Sequence, residues 1–210
     1  MEWHTWLAFF VACWIVAVSP GSGAVLSMSH GLSYGVRKTT ATIVGLQLGL
    51  VLILVIAGAG VGSLLMASEW AFNVVKIVGA CYLIYIGLCQ WRAGASPLKT
   101  LDDAPEISAR KRILTGFLTN ATNPKGIIFM VAVLPQFMTT ERPLWPQLLI
   151  MGLTMCSVDL IVMHSYAASA SLLRSFMRSQ RAMRNQNRVF GGLLMAVGTG
   201  LFFVQRTSQS

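Results

Sequence analysis

The chain has 210 residues, of which 55% are hydrophobic and only 11% charged. A soluble domain carries about 25% charged residues, so this composition excludes one and points to a protein lying almost wholly in a membrane. The formal net charge of +9 does not point to nucleic acid, because the basic residues fall in short connections between apolar runs, as on a cytoplasmic membrane face.

Crossing the hydrocarbon takes about 20 apolar residues as helix. Six stretches qualify: Thr5 to Ser27, Thr40 to Met66, Ala71 to Trp91, Ile113 to Pro135, Pro146 to Leu173, and the short, glycine-rich Val189 to Gln205. Glu2 precedes the first stretch and no Lys or Arg does, whereas a cleaved signal peptide wants a basic start, so this stretch is expected to be retained. Arg37 and Lys38 follow the first span. Arg92, Lys99, Arg110, Lys111 and Arg112 follow the third, and Arg174, Arg178, Arg181, Arg184 and Arg188 the fifth. The alternate connections hold Glu69, and Glu141 with Arg142. This bias puts the three basic loops in the cytoplasm and both termini outside.

Residues 1–91 are therefore expected to form a first three-helix repeat. Residues 92–112, with Pro97, Asp102, Asp103 and Pro105, read as a solvated cytoplasmic linker, and 113–210 as a second repeat. An odd number of spans per half inverts the second half relative to the first. The expected fold is an all-α membrane protein, six transmembrane helices in two inverted three-helix repeats. Gly45 and Gly49 form a GxxxG pair, Gly79 and Gly87 mark span three, and Gly191, Gly192 and Gly198 mark span six. Small residues of this kind let membrane helices approach closely. Trp3, Trp6, Trp70, Trp91 and Trp145 lie near span ends, where an interfacial belt is expected. Cys13, Cys81, Cys89 and Cys156 have no metal-like spacing and read as small core hydrophobes free of disulfides.

The first span of each half contains a break, Ser19-Pro20-Gly21-Ser22-Gly23 in one and Asn120-Ala121-Thr122-Asn123-Pro124-Lys125-Gly126 in the other. Proline frees backbone groups that lipid cannot satisfy, so such breaks persist where they line a cavity. Interrupted helices at matching places in two halves point to a transporter's substrate site. Both half-helices are expected to present N-terminal ends to the membrane interior, where unpaired N–H groups receive an anion such as a carboxylate. Gly21, Gly23 and Gly126 allow close approach to the backbone, and Ser22, Asn120 and Asn123 offer hydrogen bonds. The alternative is a pair of structural kinks.

Asp159 is the carboxylate placed well inside a span, at a cost of about 2.5–3.5 kcal/mol on insertion scales, so it needs a partner or a watery cavity. Gly152, Cys156, Met163 and Tyr166 share its helix face. It reads as a proton carrier or as half of a structural ion pair. Lys125 and Lys76 are the matching cations; Lys125 adjoins the second break, while Lys76 sits where it can also snorkel outward. Gln47 lies between Gly45 and Gly49 but on the opposite face, within reach of a cavity or of a neighbouring helix. His164 is off the Asp159 face, and His4 and His30 sit near span ends. No GxSxG, HExxH, P-loop or dinucleotide pattern is present. An enzyme, a catalytic residue, a metal and a cofactor are not expected, and the energy for transport falls to an ion gradient.

At these residues the chain resembles the LysE/Rht superfamily of amino-acid exporters. The resemblance is carried by Ser19-Pro20-Gly21-Ser22-Gly23-Ala24, by Gly45-Leu46-Gln47, and by Lys76 with Gly79-Ala80 and Tyr82-Leu83-Ile84. It continues through Asn123-Pro124-Lys125 with Pro135-Gln136-Phe137, Val158-Asp159 with Ile161-Val162-Met163, and the Gly191 to Gly198 stretch. It covers almost the whole chain; the loop from Ala93 to Ile107 and the tail contribute nothing to it. The resemblance implies a bacterial inner-membrane permease that expels homoserine, its lactone or similar small neutral amino acids by proton antiport. Its partners would be the amino-acid substrate, protons and membrane lipid, with room for a homo-oligomer. In the combined reading, Pro20, Gly21, Ser22, Gly23, Gln47, Asn120, Asn123, Pro124, Lys125 and Gly126 bind substrate, and Asp159, Lys125 and Lys76 couple the ion. The rivals are an exporter of another solute such as a metal cation, and an intramembrane hydrolase using Ser22.

Overall fold

The computed structural model describes residues 1–67, 69–92, 107–139, 141–172 and 180–203. Most of the expected linker, with Arg174, Arg178 and the ends of the fifth and sixth stretches, lies outside these residues. Among the described residues the chain forms α1 (Trp3–Val18), α2 (Ser22–Ala67), α3 (Glu69–Arg92), α4 (Ala109–Ala121), α5 (Pro124–Ala132), a 3-10 turn (Leu134–Phe137), α6 (Leu144–Leu172) and α7 (Gln180–Phe203). The membrane-type, all-helical class is as expected. Helix α4 begins inside the stretch expected to be linker, because the Ser108 side chain accepts the Lys111 N–H at 3.3 Å and caps its first turn.

Helix α2 is two arms. Gly35 has φ 73° and ψ 164°, a conformation that favours residues without a side chain. His30 Nδ1 and Thr42 Oγ1 lie 2.6 Å apart although 12 positions separate them. On a straight helix that separation would be about 18 Å. The chain therefore doubles back at Gly35, with arms 22–34 and 36–67, and the Thr39 hydroxyl ties the turn by donating to the Gly35 carbonyl at 2.8 Å.

By length and composition, Ser22–Gly60, which holds both arms of that reversal, and Leu144–Ser171 are apolar enough to cross a membrane. The pair Ala109–Ala121 and Pro124–Phe137, bent by 50° at its break, makes a third candidate. Trp3–Val18 and Lys76–Cys89 are shorter apolar helices. Fewer elements than the six expected stretches thus qualify singly. Two physical reasons are visible: breaks divide crossings into short pieces, and α7 opens with Arg181, Arg184 and Arg188 in its first turns.

The glycines are packing surfaces. A methyl added to Gly45 would overlap the Ile113 carbonyl, and one on Gly116 the Thr42 carbonyl; one on Gly49 would lie 2.7 Å from the Phe117 oxygen. The second arm of α2 and α4 therefore touch backbone to backbone. The same holds between α3 and α7, where a methyl on Gly87 would sit 2.6 Å from the Gly191 oxygen. Phe9, Ile43, Leu46, Phe129 and Met151 fill the core between helices. Trp6 Nε1 donates to Thr154 Oγ1 at 3.0 Å and joins α1 to α6. Buried Gln147 clasps the turn before α6, accepting from Thr139 N–H at 2.9 Å and donating to the Thr139, Arg142 and Pro143 carbonyls. Trp3, Trp70, Trp91 and Trp145 are exposed at helix ends, as are Leu48, Val55, Ile56, Leu149 and Leu153 along helix sides. Apolar surface on this scale suits a lipid neighbour better than water. The four cysteines are free.

Candidate functional site

The two breaks meet in the middle of the fold. Helix α1 stops at Val18, and Ser19 turns to extended backbone. Pro20 has no N–H, so the Val16 carbonyl, four residues earlier, loses its helical donor. The second half of the chain supplies replacements. Lys125 Nζ donates to the Val16 oxygen at 3.0 Å and to the Ser19 oxygen at 2.6 Å. The Tyr166 hydroxyl, from α6, donates to the Val18 oxygen at 2.6 Å. Gly21 makes this possible, since a Cβ there would stand 3.2 Å from Lys125 Cε and Nζ.

The second break is built from its own residues. Asn123 caps α5, its side chain accepting the Lys125 N–H at 3.1 Å, and Pro124 occupies the first turn, where its missing N–H costs nothing. Asn120 is buried and donates through Nδ2 to the Leu46 carbonyl of α2 at 2.8 Å. That contact holds the break against the GxxxG arm.

A cavity opens between the breaks, about 510 Å³ in volume when its mouth to solvent is included. Of the residues expected from sequence, Gly21, Gly23, Asn120, Asn123, Lys125, Gly126 and Asp159 line it. Pro20, Ser22, Gln47, Pro124 and Lys76 are not among its lining residues. Ser22 and Pro124 are exposed, and Lys76 lies on α3. The carbonyl end of α1 (Val16, Ala17, Ser19), Cys13, and the sulfur-bearing Met155 and Met163 complete much of the wall. Backbone carbonyls carry no residue-type signal, so their part was hidden in the sequence. The methionines were findable, since Met163 shares the Asp159 face.

Asp159 accepts a hydrogen bond from Gln47 Nε2 at 2.6 Å. Gln47 thus stands beside the carboxylate and orients it, while its amide oxygen is buried with no partner among the described residues. No ion pair joins Lys125 to Asp159 among the described residues, although both line the one cavity. The lysine ammonium is held by the end of α1 instead. The arrangement offers an organic zwitterion a cation, a carboxylate, amide groups and apolar walls at one place. No described histidine hydrogen-bonds Ser22: His30 meets Thr42, and His164 meets the Leu160 carbonyl and Thr40. Among the described residues no group of three or more His, Cys, Asp or Glu is placed to hold a metal.

The family model of the LysE type translocator matches residues 14–205. The chain is 40% identical over 200 residues to a homoserine/homoserine lactone efflux protein of Salmonella typhi, covering 94% of this chain and 96% of that one. It is 41% identical over 198 residues to an uncharacterized membrane protein of Vibrio cholerae, with the same coverage of 94% and 96%. A leucine efflux protein of Klebsiella pneumoniae is 25% identical over 193 residues, covering 90% of each chain. No solved structure matches the chain. With a family match spanning nearly its full length and two broken helices meeting at a cavity, the chain belongs to the LysE family of membrane translocators.

Proposed function

We propose that this chain exports small neutral amino acids or their derivatives, of the homoserine, homoserine lactone and threonine-like class, across the bacterial inner membrane in exchange for protons. The observation that carries the reading is a cavity inside an apolar helical body that holds both Lys125 and Asp159 at the junction of the two breaks. The names of two relatives, a homoserine/homoserine lactone efflux protein and a leucine efflux protein, point to amino-acid cargo. Intramembrane ionisable residues mark substrate and proton pathways.

The architecture we propose is six passes in two inverted three-helix repeats, residues 1–91 and 113–210, joined by 92–112 in the cytoplasm. Counting α1 with the first arm of α2 as one crossing and α4 with α5 as another gives six. The packing supports it: α1 lies on α6 while α4 lies on α2, so each broken helix meets the second crossing of the other half, and α3 lies on α7. A pseudo-two-fold axis in the membrane plane would generate that pairing. Arg37, Lys38, Arg110, Lys111 and Arg112 at one end favour termini on the outer side.

The test is transport of radiolabelled homoserine into inverted vesicles. Uptake is expected to follow an imposed proton gradient. Asp159→Asn is expected to lower gradient-driven uptake by at least about tenfold, as loss of a proton-carrying group should, while homoserine–homoserine exchange persists. Gradient-driven uptake equal to wild type would remove Asp159 from the coupling path.

A further inference from the structure

We infer that the broken carbonyl end of α1 is the subsite for the substrate's ammonium group, and that Lys125 sits in it here as a built-in competitor. The inference rests on the exporter reading above. Val16 and Ser19 offer their carbonyl oxygens to the cavity wall, and a primary ammonium already fits them, at 3.0 Å and 2.6 Å. They stand at the negative end of the α1 dipole, which favours a cation. The α-ammonium of an amino acid is the same chemical group as the lysine terminus, with three donors on one nitrogen.

The substrate chemistry points the same way. Homoserine carries an ammonium and a carboxylate; its lactone keeps the amine and has no carboxylate. A relative named for both must recognise what they share. A site built first around a carboxylate would discard the lactone. One built around the amine accepts either.

Competition for these carbonyls also couples cargo to protons. Substrate entering from the cytoplasm gives its ammonium to Val16 and Ser19 and releases Lys125. The displaced lysine, still cationic, finds Asp159 as the carboxyl group on the same cavity wall. Its arrival favours the ionised carboxylate, so the Asp159 proton leaves to the cytoplasmic side. On the outer side the order reverses: substrate departs, Lys125 returns to the carbonyls, and Asp159 takes a proton from outside. One ammonium moves out and one proton moves in. Cys13 on α1, Cys156 on its own helix and Lys125 on α5 are the titratable groups near Asp159, and Gln47 on α2 is its hydrogen-bond donor. Lys125 is the cation among them.

The probe is wild-type protein in proteoliposomes transporting radiolabelled homoserine, challenged with two fragments of that substrate. One is 3-aminopropan-1-ol, which keeps the ammonium; the other is 4-hydroxybutyrate, which keeps the carboxylate. The amine is expected to compete at concentrations at least about tenfold lower than the acid. Equal potency, or the reverse order, overturns the inference and leaves the exporter reading standing. In Lys125→Met, homoserine exchange is expected to keep an affinity no weaker than wild type, while gradient-driven transport falls at least about tenfold. A tenfold weaker homoserine affinity with unchanged lactone affinity would make Lys125 a carboxylate ligand and overturn the inference. Failure of the wild type to move homoserine or its lactone at all would sink the exporter reading, and this inference with it.

Discussion

At the second break, Pro124 withholds the N–H that the Asn120 carbonyl would have received, and the Asn123 N–H takes its place at 3.0 Å. The Thr122 hydroxyl closes the end of α4 on the Leu118 carbonyl at 2.7 Å, and Asn123 caps α5. At the first break, Pro20 withholds the N–H that Val16 would have received, and the replacement comes from Lys125, 109 positions along the chain. Tyr166, 148 positions from Val18, supplies another donor. One interruption is therefore written into its own few residues. The other is completed only when the two halves dock, which leaves its carbonyls dependent on donors from far along the chain.

Four substitutions test that contrast, taken from the largest expected effect to the smallest. Tyr166→Phe removes a distant donor from the Val18 carbonyl, at a cost of about 2 kcal/mol in stability, read as a lowered denaturation midpoint of the detergent-solubilised protein. An unchanged midpoint would mean that the first break does not depend on the second half. Asn123→Ala removes a local cap, and about 1 kcal/mol should be lost in the same assay, with Lys125 still reaching the end of α1. Gly21→Ala crowds the flexible end of Lys125 and is expected to cost less than about 1 kcal/mol while slowing homoserine transport. Gly126→Ala, where a Cβ would meet nothing nearer than 3.9 Å, should be neutral or stabilise α5 by up to about 0.5 kcal/mol. If the two glycine variants transport alike, the snug seat of Lys125 against Gly21 has no functional weight.

Much of this was legible because it depends on residue type. Prolines inside apolar runs marked both breaks, a lone carboxylate in a span marked Asp159, and the GxxxG pair marked the arm that meets α4. The Asp159 partner was half legible: Gln47 was singled out, but only folding shows it beside the carboxylate. Lys125 was expected to face Asp159 or a substrate carboxylate, and instead it grips carbonyl oxygens, which any residue can provide. Ser22 looked like a ligand by its place in the motif, yet the turn of the helix carries it to the exterior. A turn between the first two spans was expected from Arg37 and Lys38, but its pivot at Gly35 and the Gln147 clasp were missed, because a single glycine or glutamine in a sequence gives no sign of the backbone it will hold.

The contact of Gly45 and Gly49 with α4, and of Gly116 with the α2 arm, joins a helix of one half to a helix of the other with bare main chain. Flexible side chains can follow a partner that withdraws; peptide groups cannot. Along that line the α2 arm and α4 leave no side-chain slack between them, so the seam resists parting. In an exporter of the kind we propose, the gate for cargo would then open away from this seam.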